Sequence, residues 1–503
     1  MSPALLAPLA FVLVSLYSGR VLRQPFDDEV YTLNLVDGAT VGEISRAAVT
    51  GLDVHPLGAY VPFALLRALG LPDWGLHAAS LVVSAAAAAL AAAIVMRLAE
   101  RLLGRAPSTA EGTLLALATG LAPLLVAQGD VLRWYPLFAL LTLASVTLLL
   151  RGAHRTAGLL LGASASVNVI GFVDFAAIAL VVATCPREGG LRRALAMLPP
   201  FAVAALPGAI NLAVVLHKGM GADNLVSLPR AVTLMVTGFV GGQSLGLVQS
   251  VPVTVALAAL VVLARRQAWR AVAGDFAWQL VAALFAVAVA LTLAGLWKPR
   301  SVMYLAPLFA GILAAMLLAA RDLRPATRSA AIAMLVMVQL VALPNLRGND
   351  TPYKRSTTVP VENVLGLLEA NGAQHASIWS IDPAIARAAR GRLPHACVAE
   401  TDEQAARCPE TDRIVLVIGH SSSDGLPEAF VERAARRLGP DARRVEVPFG
   451  LDEEAPLKSR LSGVPLSRFV TRVLLLERAT DGGAAGKRPV STEPGECAQC
   501  AAS

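Results

Sequence analysis

Asp27, Asp28 and Glu29 are three consecutive carboxylates in QPFDDEVY (residues 24–31), shortly after an uncharged run over residues 3–19. Carboxylates of this kind take the proton from an attacking hydroxyl, or hold a cation. Three like charges side by side are unfavourable unless a cation compensates them or one of them must act as a base. A plainer reading also fits the triplet alone, since carboxylates in the first turn of a helix are favoured by the backbone dipole. Two cationic stretches stand further along. QGDVLRWYPLF (128–138) holds Arg133 with Trp134 and Tyr135, and WKPRSVMYLAPLF (297–309) holds Lys298 and Arg300 with Tyr304. A guanidinium forks onto phosphate oxygens and an ammonium adds a point charge. The same residues at helix ends also snorkel, and aromatic rings line membrane interfaces, with no ligand involved. His55, which precedes Pro56 in LDVHPLGAY (52–60), fits a ligand or hydrogen-bond donor as well as a structural helix start.

The elements that must position these residues are set by composition. Of 503 residues, 55% are hydrophobic and only 16% are charged, against about a quarter charged in ordinary soluble domains. Mean hydropathy is +0.61. Ala/Leu/Val runs without two-residue alternation select helices over a closed barrel as the way to satisfy the backbone in lipid. The fold class expected is an α-helical polytopic membrane protein. Nearly uncharged spans at 3–19, 77–96, 112–129, 135–150, 156–173, 173–185, 194–216, 245–264, 276–297, 301–320 and 329–346 predict eleven helices, with a turn at Asp174 between the fifth and sixth. A single long tilted helix over 156–185 is the competing reading. Arginine clusters at 97–105, 151–155, 187–193, 265–270 and 321–328 fall on one side of these spans, which the positive-inside rule makes cytoplasmic. The acidic triplet, Arg133, Lys298 and Arg300 then share the opposite face. The net charge of +7 is accounted for by these clusters, so no nucleic-acid partner is expected. No cleavable leader is read over residues 3–19, which lack a charged start and a small-residue cleavage site; they are expected to stay as the first membrane helix.

Residues 1–346 thus form the membrane domain, and the composition changes after Pro344. Over 347–480 helix-like and strand-like pieces alternate: helices at 361–370, 383–390 and 427–439, and strands at 376–381, 413–419 and 468–478. This predicts a small extracytoplasmic α/β domain with a mostly parallel sheet. Gly419-His420 follows its central strand, where ligand sites of such sheets often lie, but no GxGxxG or P-loop accompanies it and it reads as an ordinary strand-to-loop turn. Cys397 and Cys408 either pair, if the domain faces an oxidising compartment, or stay as thiols. Residues 481–503 read as a disordered tail, and Cys497-x-x-Cys500 within it as an isolated pair. The Gly-rich stretch 217–244 reads either as a cover over the site or as a plain loop.

DDE after the first span, HPLGAYVPFALLRALG, a basic loop after the second, QGDVLRWYPLFALLTLAS and a late KPRSVMYLAPL occur in this order. The pattern resembles the GT-C glycosyltransferases, and among them the bacterial branch of protein O-mannosyltransferases and aminoarabinose transferases. It covers residues 1–345; a Leu57 stands where members carry a second proline after His-Pro. The resemblance implies an inverting glycosyltransferase whose donor is a polyprenyl-phosphate monosaccharide and whose acceptor is a hydroxyl of a lipid, glycan or protein. It implies Asp28 as the base, with Asp27 or Glu29 positioning the acceptor or holding a divalent cation. Arg133, Lys298 and Arg300 hold the donor phosphate in this reading, and His55, Tyr135 and Tyr304 contact substrate. No cofactor beyond that cation is implied. The expected location is the inner (plasma) membrane, multi-pass, among membrane lipid, with catalytic loops and the α/β domain extracytoplasmic. A transporter or flippase of lipid-linked sugars is the alternative, and a membrane-anchored sensor a third reading.

Overall fold

The computed structural model describes residues 3–19, 27–38, 40–50, 55–185, 190–217, 238–239, 247–272, 275–294, 299–343, 361–380, 382–418, 426–439, 441–449 and 471–478. The expected cover at 217–244 lies almost wholly outside them, as do Lys298, Gly419 to Ser423 and the tail 481–503. The chain divides into two compact units. The first comprises Met1–Arg23 and Thr32–Gly348, and the second Gln24–Tyr31 and Asn349–Ser503.

The first unit is helical. In chain order its helices are α1 (Pro3–Tyr17), α2 (Asp27–Val36), α3 (Val41–Thr50), α4 (Val61–Ala68), α5 (Asp73–Leu103), α6 (Thr109–Gly120), α7 (Pro123–Gln128), α8 (Tyr135–Leu150), α9 (His154–Val167), α10 (Ile170–Thr184), α11 (Gly190–His217), α12 (Leu247–Val272), α13 (Phe276–Leu293), α14 (Leu305–Ala319) and α15 (Pro325–Ala342). The division between the units runs through α2, between Tyr31 and Thr32.

Four of the described helices are long and apolar enough to cross a membrane: Asp73–Leu103, Gly190–Val214, Phe276–Leu293 and Pro325–Ala342. Shorter apolar helices cover Leu5–Tyr17, Tyr135–Leu150, Ile170–Thr184, Val251–Ala264 and Leu305–Ala319. Eleven spans are therefore more than helix length supports. The reason is local: the run 112–129 is cut at Leu121 and Ala122 before Pro123, and 301–320 becomes α-helical only from Leu305. A helix of fifteen residues such as α14 rises only about 22 Å, short of a ~30 Å hydrocarbon core. The turn between the fifth and sixth apolar runs is also misplaced in the sequence reading. It falls at Asn168, whose backbone is extended and whose side-chain oxygen accepts from the Ile170 N–H at 2.9 Å, while Asp174 lies inside α10.

Helix α9 packs against α11 through small residues. A Cβ on Gly158 would stand 2.4 Å from the Met197 carbonyl, and one on Gly162 2.4 Å from that of Phe201. A Gly-x-x-x-Gly face of this kind lets two backbones approach where lipid offers no hydrophobic drive. Pro207 lies inside α11, and next to it the Ser166 hydroxyl donates to the Ala204 carbonyl at 2.6 Å and accepts from the Gly208 N–H at 3.3 Å. The hydroxyl thus stands in the place of one helical hydrogen bond, so both backbone groups stay satisfied away from water.

The second unit is a three-layer α/β domain. Strands β1 (Ser377–Ser380), β2 (Cys397–Ala399), β3 (Arg413–Ile418), β4 (Arg443–Phe449) and β5 (Thr471–Glu477) form one sheet in the order β2-β1-β3-β5-β4. β1 pairs parallel with β2 and β3, but β5 runs antiparallel to both β3 and β4. The sheet is mixed, and the expectation of a mostly parallel one is corrected for that half. Strand β4, RRVEVPF, was not read from the sequence because its charges and proline mark an edge position. Helices α16 (Val361–Ala370) and α17 (Pro383–Arg392) bury Val364, Leu368, Ile385 and Ala389 with Ile378, Val415 and Val473 on one face. Helices α18 (Asp402–Arg407) and α19 (Leu426–Leu438) bury Ala405, Phe430 and Ala434 with Trp379, Leu416 and Leu474 on the other. Val30, from the first turns of α2, belongs to the first of these cores. Cys397 and Cys408 form a disulfide.

Candidate functional site

The candidate site is built around the loop 129–134 between α7 and α8. Proline at the second position of α8 fixes where that helix begins, and Trp134 is its N-cap residue. The loop itself is held from α5. The Ser84 hydroxyl donates to the Gly129 carbonyl at 2.8 Å, and His77 Nδ1 lies 2.8 Å from the Asp130 carbonyl. A carbonyl can only accept, so Nδ1 carries the proton in this arrangement. His77 and Ser84 are seven residues apart, two helical turns, so both project from one face of α5. The Asp130 carboxylate is fully buried, with Oδ2 3.9 Å from His77 Nδ1.

Arg133 is 7% exposed, a charge withdrawn from water within a predominantly apolar unit. Its Nη1 donates to the Thr32 hydroxyl at 3.4 Å. Thr32 is part of α2, the helix whose first residue is Asp27. The DDE triplet is therefore the N-terminal turn of a helix, where negative charge is favoured. Glu29 is fully buried, which a merely solvated helix end does not require. Asp27 and Asp28 are helical, and their side chains lie outside the described structure.

Aromatic rings extend from the loop. The Trp134 ring meets Tyr135 edge-on with centroids 4.3 Å apart, Phe138 at 5.6 Å, and the His55 ring at 5.8 Å. His55 is half-buried, and its carbonyl accepts from Asn211 Nδ2 at 3.4 Å. The turn after it packs on the end of α9: a Cβ at Gly58 would stand 2.5 Å from the Ser166 carbonyl. Phe138 in turn meets the Tyr304 ring at 5.7 Å, and the Tyr304 hydroxyl reaches both oxygens of Asp174, at 2.9 and 3.1 Å.

The structure thus brings Arg133, Tyr135, Tyr304 and His55 of the expected set into one connected group with the loop 129–134. Arg300 lies in the 3-10 turn Pro299–Val302, four residues before Tyr304, with its side chain outside the described structure. Lys298 is outside it entirely. Four members of the group escaped the sequence reading as site residues: His77, Asp130, Asp174 and Asn211. Asp174 and Asn211 had a readable signal, a polar side chain deep in an apolar run. His77 gives none, standing at the edge of its span. Among the described residues, no three His, Cys, Asp or Glu side chains gather closely enough to hold a metal ion.

No protein-family model matches the chain, and none of the curated proteins matches it in sequence.

Proposed function

We propose that the chain is an integral-membrane glycosyltransferase. It moves a monosaccharide from a polyprenyl-phosphate donor to an acceptor hydroxyl at the extracytoplasmic face of the inner (plasma) membrane. The observation that carries this reading is Arg133. It is a buried guanidinium, set in a loop that α5 fixes by two hydrogen bonds. A fixed, desolvated guanidinium beside aromatic rings suits the phosphate of a lipid headgroup, whose tail stays among the apolar helices.

In this reading the acceptor oxygen attacks the anomeric carbon and the bond from that carbon to the phosphate oxygen breaks, with inversion. Asp28 takes the acceptor proton. The electron pair leaves with the polyprenyl phosphate, whose charge Arg133, Lys298 and Arg300 neutralise. Glu29, buried in the same helix, and Asp27 orient the acceptor; His55, Tyr135 and Tyr304 line the sugar. The Cys397–Cys408 disulfide supports an oxidising, extracytoplasmic setting for the α/β domain.

The test is purified protein in lipid with a radiolabelled polyprenyl-phosphate sugar and membrane extract as acceptor source. Label transfer that Asp28→Asn abolishes at unchanged expression is the expected result. Full transfer by that variant removes Asp28 from the mechanism, and no transfer from any donor removes the enzyme.

The alternative, a transporter or flippase of lipid-linked sugars, draws on Asp174, an ionisable group inside an apolar helix of the kind found along transport paths. It predicts movement of labelled lipid-linked sugar across a vesicle membrane with no transfer to acceptor.

A further inference from the structure

Asp174 is the only ionisable residue in α10, IGFVDFAAIALVVAT, and it is completely buried. The chemistry proposed above does not use it. Its carboxylate receives the Tyr304 hydroxyl on both oxygens, at 2.9 and 3.1 Å. A buried carboxylate needs hydrogen-bond partners, and here the partner is one residue of a neighbouring segment.

That segment is short and closely specified. The 3-10 turn Pro299–Val302 runs through Met303 to Tyr304, which is the N-cap residue of α14 with no side-chain cap of its own. Val302, Met303 and Tyr304 are all buried. The Tyr304 ring meets Phe138, Phe138 meets Trp134, and Trp134 directly follows Arg133. Two segments that carry cations of the proposed phosphate site, 129–134 and 299–304, are therefore joined by three rings. A third helix supplies the polar anchor at the end of the chain.

We propose that Asp174 is a positioning residue that acts through the Tyr304 hydroxyl. It holds the Tyr304 ring against Phe138 and so sets the turn carrying Arg300 relative to the loop carrying Arg133, the spacing at which a polyprenyl phosphate is gripped. The proposal rests on the glycosyltransferase reading for its substrate, while the anchor itself is a property of the fold. What the anchor requires is an acceptor at position 174 and a donor at 304, and net charge at 174 is not part of it.

The test uses the full chain in nanodiscs with Asp174→Asn, Asp174→Leu, Tyr304→Phe and the double variant Asp174→Leu/Tyr304→Phe. Asparagine keeps an oxygen that accepts from Tyr304, so D174N should retain the wild-type KM for a polyprenyl-phosphate sugar. D174L and Y304F should each raise that KM roughly tenfold, the change expected for one lost hydrogen bond, with kcat held within about twofold. The double variant should be no worse than either single one, because both remove the same contact. Amide hydrogen exchange over residues 299–304 should quicken in D174L and Y304F but not in D174N, a readout that needs no turnover. Should D174L fail to fold, hydrogen exchange over residues 299–304 in substrate-free Y304F carries the test, since a lost sugar contact would not quicken it. A D174N defect equal to that of D174L overturns the proposal, since charge would then be what matters. So does unchanged exchange and KM in folded D174L or Y304F. If the wild type neither transfers from nor binds any polyprenyl phosphate, the glycosyltransferase reading and the phosphate role fall together. The exchange data would then still decide whether Asp174 fixes the turn.

Discussion

His77 Nδ1 and the Asp130 carbonyl lie 2.8 Å apart, and this contact, with Ser84 on Gly129, makes α5 the support on which the loop 129–134 rests. Substituting His77 by Ala leaves that carbonyl without its donor and loosens the segment that carries Arg133. The expected outcome is a donor KM raised about tenfold, corresponding to one ordinary hydrogen bond, together with a lower melting temperature, since His77 is buried. His77→Asn, which offers an amide N–H at nearly the Nδ1 position, should recover most of it. Steady-state kinetics on the two variants is the check.

Arg133 should not be replaceable by lysine. Arg133→Ala is expected to lower kcat/KM by about 10²- to 10³-fold, the scale for removing one preorganised donor of the reacting centre. Arg133→Lys should restore only part of this, since the ammonium keeps the charge but not the planar fork. Equal activity of Arg133→Lys and wild type would show that charge alone suffices.

The disulfide closes a short loop in the α/β domain, with the two cysteines 11 residues apart. Chain-entropy reasoning assigns such a loop about 3 kcal/mol. Reduction, or Cys397→Ser with Cys408→Ser, should therefore lower the melting temperature of the second unit while leaving the helices of the first intact. Far-ultraviolet circular dichroism against temperature, with and without dithiothreitol, separates the two.

At the start of α6, Ser108 accepts from the Glu111 N–H and the Glu111 carboxylate accepts from the Ser108 N–H, a reciprocal cap, while Arg105 adds two hydrogen bonds. The Arg105 guanidinium, opposed by partial burial and helped by Ser108, holds Glu111 down at about 2 from an ordinary value of 4.5. A depressed carboxylate stabilises the fold fully above its unfolded pKa, and that share is lost as pH falls through the folded value. The melting difference between wild type and Glu111→Gln should accordingly be constant above pH 4.5 and shrink towards pH 2. Melting scans at several pH values give the answer.

How much of this was legible beforehand depended on whether a residue's neighbours announced it. Arg133, Trp134 and Tyr135 stand together at the start of an apolar run, and the structure keeps them together. The α/β strands β1, β3 and β5 were readable as apolar runs between turns, whereas β2 is three residues long and β4 is masked by its charges. In the sequence Asp174 reads as a turn, because a lone carboxylate in an apolar stretch looks like a break. The true break, Asn168, works by an Asx hydrogen bond to Ile170 that leaves no mark in hydropathy. His77 could not be singled out, since its role depends on the loop 53 residues further along the chain. Helix lengths were over-read for a related reason: hydropathy runs through Leu121 and Ala122 without registering the kink before Pro123.

Val30 sits in the apolar core of a domain whose other members all lie beyond residue 360. Residues 32–348 intervene in the chain between the two contributions. A ribosome therefore delivers one piece of this core first and the rest only after the described helices α3 to α15 have been made. Domains ordinarily fold as they emerge, N-terminal ones first; this one has to wait for its own last strand. Completion of the α/β core therefore waits on β5, and a chain lacking that strand leaves Val30 without its full apolar company.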